Sequence, residues 1–585
     1  MFIEQINNPV DLKKLNISEL PALAEEIRAL IIEKVSACGG HLASNLGIIE
    51  LTVALHYIFN SPLDKLVFDV SHQTYCHKII TGRKDAFIFR EQYKTVTGFS
   101  NPLESEHDIF AIGHTSTSIS LACGLAKARD LQGGTENIVA VIGDGSLDGG
   151  EAFEALNCAA ELDSNLIVII NDNEMSIPEN HGALGRHLTA LKAASGKSEN
   201  NFFRSLGFEY YFVENGNDIS ALIKTLSAVK DREHRVVVHV CTQKGFGCTF
   251  AEHDKEKWHW ARPFEKETGK YLQSVPAENY GSIVADHLLN KMHNDEKIIV
   301  IAASTPICIG FDKQKRELAG KQYIDVGIAE QNAVTMAAAI AKGGCKPVFA
   351  TNATFIQRAY DQIQQEMCLN HLPATMIITH ASVYGHLNDS HIGLLDIPLL
   401  ANIPNLTYLA PANKEEYLSM LDWSIEQDHT PVAIRVPWTG VTHAEYPVCK
   451  EYDKVSYYIA DEGEKLCILA LGGFFDLGRK VAQLFQEKTG IKPTLINPRF
   501  ITGLDEKTLS WALHRHEVIV TIEDGILSGG FGAKIAQYYA DKNIEVHNFG
   551  FSMDIPRNYD PAELMHKNSL SDLQIVDKIL SGHVF

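Results

Sequence analysis

Two polar positions, each lying just beyond an apolar run, are the residues of this sequence best suited to chemistry. Asp144 lies between Gly143 and Gly145, and Asn173 closes the triplet Asn-Asp-Asn at positions 171–173. Their side-chain oxygens suit a hard divalent cation such as Mg²⁺, which keeps few protein ligands and takes other oxygens from phosphate groups. The pair therefore predicts a magnesium site that holds a diphosphate.

The elements around the two positions predict how they come together. Asn137 to Ile142 and Leu166 to Ile170 are short apolar runs typical of buried strands, and Glu151 to Leu162 has a helical period. A strand–helix–strand unit makes both strands parallel and brings their carboxyl ends to one edge of the sheet, where such folds bind ligands. Asp144 and Asn173 can then face one site. The alternative is a glycine turn and an Asx-rich loop without a ligand.

Three histidines lie in predicted loops at the ends of strands or helices. His41 is in the glycine-flanked turn 39–47, His72 follows the apolar run 66–70, and His114 is in the polar loop 113–118. A single histidine is more often structural than functional. As a group in one half of the chain, they are candidates for proton transfer near neutral pH.

Length and composition limit the class of protein. A chain of 585 residues with 45% hydrophobic residues predicts several globular domains. We see no apolar run long enough for a membrane helix, and the polar amino terminus lacks a signal peptide, so a cytoplasmic protein is expected. The net charge of −21 argues against a nucleic-acid partner. The eleven cysteines form no CxxC pair, which favours small buried side chains over disulfides or zinc ligands.

Several motifs resemble those of the 1-deoxy-D-xylulose-5-phosphate synthase family, a transketolase-like group of enzymes. They read GGHLASNLG, DVSHQTYCHKIITGR, GHTSTSIS, VIGDG, FEALN and NDNEMSI, and the likeness continues through DVGIAEQNAV, QRAYDQI, NPRF and TIEDGILSGGFG. The resemblance implies an α/β fold with three doubly wound α/β domains of transketolase-like architecture. They would span residues 1–275 (diphosphate and magnesium binding), 276–445 (pyrimidine binding, with a catalytic glutamate) and 446–585 (the carboxyl-terminal domain).

The resemblance also implies thiamine diphosphate and Mg²⁺ as cofactors. The metal ligands would be Asp144, Asn173 and the backbone carbonyl of Met175. The residues expected to contact the cofactor are His72, Gly113, His114, Thr115, Gly143, Asp144, Gly145, Ser146, Asn173, Met175, Lys244, Glu330, Phe355 and Arg358.

Glu330 follows the strand-like run 323–326, and in the family the matching glutamate hydrogen-bonds the aminopyrimidine ring of thiamine. The thiazolium proton is weakly acidic, and the cofactor's amino group removes it only when a carboxylic acid favours the imino tautomer. A carboxyl group shielded from water keeps its proton more readily, which suits this role. The alternative is a solvated glutamate at a helix start. Phe355 is the candidate to stack on the pyrimidine, and Arg358 belongs either to the same wall or to a structural salt bridge.

The expected reaction follows from the cofactor. A 2-oxo acid donor such as pyruvate would lose carbon dioxide, and its two-carbon unit would be joined to an aldehyde acceptor. We assign the proton transfers of this reaction to His41, His72, His114 and His391 as a group. A homodimer is expected from the resemblance.

Four positions depart from the family pattern. His380 and Trp438 replace arginines, Asn352 replaces a tyrosine, and Leu387 replaces an aspartate. In the family these positions hold the phosphate and hydroxyls of glyceraldehyde 3-phosphate and help to hold the carboxylate of the donor. Losing a charge-assisted hydrogen bond costs roughly 1.5 to 3 kcal/mol. The departures therefore favour a less charged acceptor, unless other basic residues replace the arginines.

Two further classes of function fit the sequence. One is a transketolase that moves a ketol unit between sugars, which release of carbon dioxide from pyruvate would exclude. The other is a non-catalytic paralogue that binds the cofactor, which the presence of Asp144, Asn173, Glu330 and four candidate histidines argues against. Small and polar residues also predict a mobile loop at 180–201, and the charged segment 251–273, with Trp258 and Trp260, is typical of a linker or crossing segment.

Overall fold

The computed structural model describes residues 1–162, 164–274, 276, 278–383, 390–437, 440–556 and 559–582, and the backbone of residue 389. The chain divides into two compact units. Unit 1 comprises Met1–Val275 and Gly327–Ala329, and unit 2 comprises Pro276–Val326 and Glu330–Phe585. The boundaries of the three expected domains stay a prediction. Within the described residues, no helix has the length and apolar character needed to cross a membrane.

Unit 1 is built on a five-stranded parallel sheet with strand order β2-β3-β4-β6-β5, and β1 pairs with β7 in a short antiparallel ribbon. Its strands are β1 Gly40–His41, β2 Lys65–Phe68, β3 Ile138–Gly143, β4 Ile167–Asp172, β5 Glu209–Val213, β6 Val236–Cys241 and β7 Trp260–Ala261. Its α-helices are α1 Pro9–Leu12, α2 Leu20–Cys38, α3 Ala43–Gly47, α4 Ile49–Ile58, α5 Tyr75–Lys78, α6 Asp85–Ile88, α7 Ser118–Gln132, α8 Gly150–Glu161, α9 Gly182–Ala193, α10 Phe202–Ser205, α11 Ile219–Val229 and α12 Thr249–His253.

Strand β3 shows why the apolar runs have no polar face. Val139 and Val141 belong to the core that includes α2, α4 and α11, whereas Ile138, Ala140 and Ile142 belong to the core that includes α7 and α8. A parallel strand covered on both faces must be apolar at every position. The strand–helix–strand unit expected around Asp144 is therefore present.

The segment predicted as a mobile loop contains a helix, so that prediction is wrong for residues 182–193. In α9 the side chains of Leu188 and Leu191 are buried in the same core as β3. They stand three residues apart, with Leu184 four residues before Leu188, which is a helical spacing. The many small and polar residues nearby obscured this pattern.

Unit 2 contains two larger sheets. The first is parallel, with order β12-β13-β11-β10-β8-β9, and the second has order β14-β16-β15-β17-β18, in which only the β14–β16 pair is antiparallel among the described strands. The strands are β8 Ile298–Ala302, β9 Tyr323–Asp325, β10 Lys346–Asn352, β11 Thr375–Ala381, β12 Thr407–Leu409, β13 Val432–Pro437, β14 Tyr458–Asp461, β15 Lys465–Ala470, β16 Thr494–Asn497, β17 His516–Ile526 and β18 Glu545–Phe551.

Helices lie between most successive strands of unit 2, as an α/β fold requires. The α-helices are α13 Tyr280–Asn294, α14 Lys313–Ala319, α15 Glu330–Lys342, α16 Tyr360–Gln362, α17 Asp396–Leu400, α18 Lys414–Glu426, α19 Phe475–Thr489, α20 Glu506–Leu513, α21 Phe531–Tyr539, α22 Pro561–Lys567 and α23 Asp572–Gly582. The three parallel or mostly parallel sheets agree with the α/β class expected from the sequence.

Arg435 in β13 connects the two sheets of unit 2. Its Nε donates to Asp396 Oδ2 over 2.7 Å, and its Nη1 donates to Asp524 in β17. Tyr408 also donates its hydroxyl to Asp396. All three charged side chains are buried, so the arginine is fully engaged by two carboxylates inside the unit.

Candidate active site

Asp144 and Asn173 lie at adjacent strand ends of unit 1, as the spacing of the motif predicted. Gly143 pairs with Asn171 across β3 and β4, and the backbone N–H of Asp144 donates to the Asn171 carbonyl over 3.2 Å. Gly145 is needed at this turn, because a Cβ there would lie 2.7 Å from the Cβ of Ser176. The loop after β4 thus packs directly on the glycine turn after β3.

That loop folds back onto the Asp144 carboxylate. Asn180 donates from Nδ2 to Asp144 Oδ2 over 2.8 Å, and Asn173 Oδ1 accepts from the Met175 N–H over 3.1 Å. Asp144 is only 3% exposed. Sequence reasoning missed Asn180, which no motif marks and which only the fold-back of the loop brings to the site.

The electrostatics of this edge favour a cation. Burial, followed by repulsion from the Asp172 carboxylate, raises the pKa of Asp144 well above its usual value. A divalent ion at Asp144 would offset both effects, because opposite charge stabilises a buried carboxylate. The residues present therefore fit a magnesium ion.

Lys244 provides positive charge in unit 1. Its side chain is buried, its Nζ donates to the carbonyl of Ser176, and burial lowers its pKa to about 7. An anionic ligand would restore the full charge of the ammonium group. Lys244 thus fits the phosphate-contacting role that the motif implies.

Three imidazoles form a cluster in unit 1. The ring centroids of His41 and His72 are 4.9 Å apart, and the ring of His259 lies 5.5 Å from His41 and 5.1 Å from His72. Burial lowers the pKa of His41 to about 3 and that of His259 well below its usual value. Neutral imidazoles can accept or donate a proton at either ring nitrogen, which suits exchange with substrate hydroxyls.

His259 was missed because it lies in the segment predicted as a linker. His259 joins the histidine cluster because it directly precedes β7, whose Trp260 pairs with His41 of β1. Each of these strands has two residues, too few for a periodic signal in the sequence. Only the pairing of distant segments identifies His259.

Asn45 holds the loops of two cluster members together. Its Nδ2 donates to the carbonyls of His41, over 2.9 Å, and His72, over 2.8 Å. Its Oδ1 accepts from the Tyr75 N–H over 2.9 Å. Asn45 is fully buried, so water does not compete for these hydrogen bonds, which hold both loop backbones in place.

The loop with Gly113, His114 and Thr115 is anchored from its carboxyl side. Asp69 accepts from the backbone N–H groups of Ser116, over 2.8 Å, and Ser118, over 3.0 Å. Ser116 Oγ donates to the carbonyl of Ser146 over 2.8 Å. The 113–118 loop and the turn after β3, including Ser146, are therefore neighbours.

Glu330 is the first residue of α15 in unit 2 and is 2% exposed. Burial raises the pKa of its carboxyl group, and Arg358, with Nη1 3.8 Å from Oε2, partly opposes this effect. Oε2 has no hydrogen-bond partner among the residues that the structure describes. A buried polar atom without a partner is rare in proteins and fits a ring nitrogen of the cofactor. This ion pair corresponds to one of the two alternatives for Arg358, a salt bridge with a carboxylate.

Phe355 and His391 also lie close together in unit 2. Their ring centroids are 5.7 Å apart in an edge-to-face arrangement, and Ser390 Oγ is 2.8 Å from His391 Nδ1. Thr354 Oγ1 donates to the Ser390 carbonyl over 3.0 Å, which holds the two segments together.

Asn352 and His380, two of the four residues that depart from the family pattern, both contact Thr379. Thr379 Oγ1 donates to Asn352 Oδ1 over 2.9 Å and lies 3.0 Å from His380 Nδ1. Burial lowers the pKa of His380 to about 4, so its ring is neutral at pH 7. Leu387 and Trp438, the other two, lie outside the described residues.

Three protein-family models match successive parts of the chain. Residues 3–200 and 192–242 match 1-deoxy-D-xylulose-5-phosphate synthase. Residues 279–441 match the transketolase pyrimidine binding domain, and residues 457–575 match the transketolase C-terminal domain.

Curated relatives match the chain over its length. The 1-deoxy-D-xylulose-5-phosphate synthase of Caldanaerobacter subterraneus is 39% identical, with 100% of this chain and 99% of the relative covered. Those of Syntrophomonas wolfei and Alkaliphilus oremlandii are each 40% identical, covering 93% of this chain and 90% and 92% of theirs. The chain belongs to the 1-deoxy-D-xylulose-5-phosphate synthase family.

Membership of the 1-deoxy-D-xylulose-5-phosphate synthase family confirms the resemblance and the transketolase-like α/β fold. The protein is a thiamine-diphosphate-dependent transferase of the synthase type, and the family implies small-molecule substrates, a 2-oxo acid and an aldehyde. The synthase interpretation is therefore favoured over the transketolase and the non-catalytic paralogue. Among solved structures, a transketolase from Campylobacter jejuni is 19% identical over 97% of this chain and 100% of its own, with a TM-score of 0.44, too low to add to the argument.

Proposed function

We propose that this member of the family decarboxylates pyruvate or a related 2-oxo acid and joins the two-carbon unit to an aldehyde. The observation that carries the proposal is Glu330, a buried carboxyl group with a raised pKa and an oxygen, Oε2, that has no hydrogen-bond partner among the described residues. The chemistry that thiamine diphosphate supplies when bound is a nucleophilic carbon and an electron sink. The raised pKa of Glu330 makes its carboxyl group better able to keep a proton, and this group would donate a hydrogen bond to the aminopyrimidine.

Mg²⁺ is proposed to be held by Asp144, Asn173 and the carbonyl of Met175. Support comes from the buried Asp144 carboxylate, whose raised pKa signals a place for a cation. Lys244 adds positive charge for the diphosphate. Among the other contacts expected from the motifs, Gly113, His114 and Thr115 belong to the 113–118 loop, and Ser146 belongs to the neighbouring turn after β3.

The histidines are proposed to move protons on substrate hydroxyls. His41, His72 and His259 are supported by their cluster in unit 1, and their burial keeps at least His41 and His259 neutral. His114 and His391 stay candidates for the same work. We further propose that the protein acts in the cytoplasm as a homodimer.

The acceptor is proposed to be less charged than glyceraldehyde 3-phosphate. Two observations in unit 2 favour this choice. His380 stands where the family has an arginine and is neutral at pH 7. The nearby Arg435 cannot substitute, since Asp396 and Asp524 already engage its guanidinium group. His380 has no guanidinium group, and that of Arg435 is already engaged. Neither side chain therefore offers the charged, bidentate hydrogen-bond donor that binds phosphate well.

The test combines labelled pyruvate, thiamine diphosphate and Mg²⁺ with a panel of aldehydes. Release of labelled carbon dioxide and incorporation of label into product support the synthase reaction, whereas transfer from a ketose without carbon dioxide supports a transketolase. Glyceraldehyde and glyceraldehyde 3-phosphate form the matched pair. An efficiency with the phosphorylated aldehyde of about 10⁴ M⁻¹ s⁻¹ or more would contradict the altered acceptor but not the reaction type.

A further inference from the structure

Three side chains of types that commonly bind metals lie close together in unit 1. The proposed function gives none of these three residues a role. Asp172 ends β4, and His239 and Cys241 stand two residues apart in β6. Each offers one ligand atom, and these atoms all lie within 4.8 Å of one another. All three residues are buried.

The strand register explains why they converge. Across β4 and β6, Asp172 pairs with Cys241 and Ile170 pairs with His239. Paired residues of parallel strands project to the same face, and residues two apart in one strand do so as well. The three ligand atoms are thus held by the central strands of a sheet, which position a site more accurately than loops do.

The ring of His239 already has the orientation of a metal ligand. Its Nε2 lies 2.8 Å from Asp172 Oδ2, and its Nδ1 lies 2.7 Å from the hydroxyl oxygen of Tyr210. A histidine that binds a metal through one nitrogen almost always hydrogen-bonds a second group through the other, which fixes the ring. Tyr210 is in place to be that second group.

An ion pair near the cluster is exposed to solvent. Lys192 Nζ and Glu174 Oε1 are 3.0 Å apart, and their side chains are 37% and 53% exposed. Both charges act on Cys241, so they lie near its thiol. Exposed ion pairs contribute little to stability, and this one can open at small cost.

We propose that Asp172, His239 and Cys241 form a binding site for one divalent cation of the zinc class. Sulfur and imidazole nitrogen favour such borderline-soft ions over Mg²⁺, which prefers oxygen ligands only. On binding, the Cys241 thiol releases its proton to solvent and the sulfur bonds the metal. His239 would give up the hydrogen bond between its Nε2 and Asp172, so that both atoms can bind the metal, and would carry its proton on Nδ1 and donate it to Tyr210. The site is distinct from the one proposed for Asp144 and Asn173.

Cobalt tests the proposal, because a bond between thiolate and Co²⁺ gives a charge-transfer band in the near ultraviolet. The full-length protein, stripped of metals and then saturated with Mg²⁺, is titrated with Co²⁺. We expect the band to saturate at one cobalt per chain and to disappear when Zn²⁺ displaces the cobalt. The proposal is independent of turnover, so loss of enzyme activity alone has no bearing on it.

Matched variants assign the band to its residues. Cys241→Ser should abolish it, whereas Cys248→Ser, at another buried cysteine of unit 1, should leave it intact. Tyr210→Phe keeps all three ligands and should weaken cobalt binding roughly 10- to 100-fold, so it carries the test if Cys241→Ser does not fold. The proposal would be overturned if no band appeared or if the band survived in Cys241→Ser. It would also be overturned if replacing the exposed Cys38 or Cys158 abolished the band, or if Tyr210→Phe left the affinity for cobalt unchanged.

Discussion

At the scale of single residues, the proposed function depends most on two buried carboxyl groups. Glu330 in unit 2 and Asp144 in unit 1 are almost fully buried, and burial raises the pKa of each. The two carboxyl groups differ in the kind of ligand that would offset the cost of their burial. Glu330 has an oxygen without a hydrogen-bond partner among the described residues, which suits a ring nitrogen, whereas Asp144 is repelled by Asp172, which suits a cation.

Replacing Glu330 by glutamine should lower the rate of carbon dioxide release from pyruvate by about 10²- to 10⁴-fold, because the amide cannot transfer a proton. The unfolding temperature should not fall, since the substitution removes a poorly solvated carboxyl group. Stopped assays and thermal denaturation measure the two effects. Glu317→Gln, at an exposed position of the same unit, is the control, and full activity in Glu330→Gln would refute the proposed role.

Asp144→Asn should have opposite effects on the protein without and with its cofactors. Without them the variant should be more stable than the wild type, because the buried negative charge and its repulsion by Asp172 are gone. With thiamine diphosphate and Mg²⁺ at about 100 times their Kd, the wild type should gain about 2.7 kcal/mol, and the variant should gain much less.

Thermal unfolding with and without EDTA measures both parts of this prediction. An equal cofactor response in the two proteins would show that Asp144 is not a metal ligand. Asp218→Asn, at an exposed helix cap in the same unit, is the control for the removal of an aspartate charge.

The double substitution His380→Arg and Trp438→Arg should restore charged groups at two positions where the family has arginine. We expect kcat/KM for glyceraldehyde 3-phosphate to rise at least about tenfold, chiefly through KM, because each new charge-assisted hydrogen bond contributes roughly 1.5 to 3 kcal/mol. The value for unphosphorylated glyceraldehyde should not rise. A parallel change for both aldehydes would count against a phosphate effect.

At the scale of elements, the positions of the proposed active-site histidines depend on hydrogen bonds between short segments. The two-residue strands β1 and β7 bring His259 to His41, and Asn45 at α3 joins the loops of His41 and His72. Elements of this size have no stability of their own. The geometry of the cluster therefore depends on a few buried hydrogen bonds.

Asn45→Asp tests this dependence. The carboxylate cannot donate, so the carbonyls of His41 and His72 would lose buried donors, at roughly 1 to 3 kcal/mol each. We expect a lower unfolding temperature and a fall in kcat larger than the change in the KM for pyruvate. Asn200→Asp, exposed in the same unit, should change neither. A stability loss without any fall in kcat would make Asn45 purely structural.

At the scale of the whole molecule, partly buried histidines link stability to pH. Burial lowers the folded-state pKa of His41 to about 3 and those of His107 and His380 to about 4. Between pH 6.5 and 4 the unfolded chain binds protons that the folded chain does not, so these groups make stability fall as pH falls. Buried carboxyl groups with raised pKa values, such as Asp144, act in the opposite direction.

A comparison of variants measures the contribution of His380 to the pH dependence of stability. His380→Asn keeps a side chain that tolerates the positive φ of 54° and should reduce the slope of unfolding free energy against pH by up to about 1.4 kcal/mol per pH unit between pH 6 and 5. Denaturant titrations at several pH values measure the slope. His181→Asn, at an exposed position, is the control, and an unchanged slope for His380→Asn would contradict the assignment.

Much of the fold could be predicted because its signals are local. Apolar β-branched runs such as those of β3 and β4 fix the strands, and the glycine turn with Asp144 follows directly from them. The helix α9 was missed, since small and polar residues around Leu184, Leu188 and Leu191 masked its period. Leu387 and Trp438, on which the acceptor hypothesis also depends, lie outside the described residues and stay predictions.

The sequence by itself determined which residues stand at the ends of strands, and so located Asp144, Asn173 and Glu330, because strand periodicity and glycine turns act over a few residues. The tertiary structure alone decided which distant groups share a site. It joined His259 to His41, placed Asn180 on Asp144, engaged Arg435 with two carboxylates and brought Asp172, His239 and Cys241 together. These relations, and the pKa changes that burial causes, depend on contacts between segments far apart in the chain. No local pattern encodes such contacts.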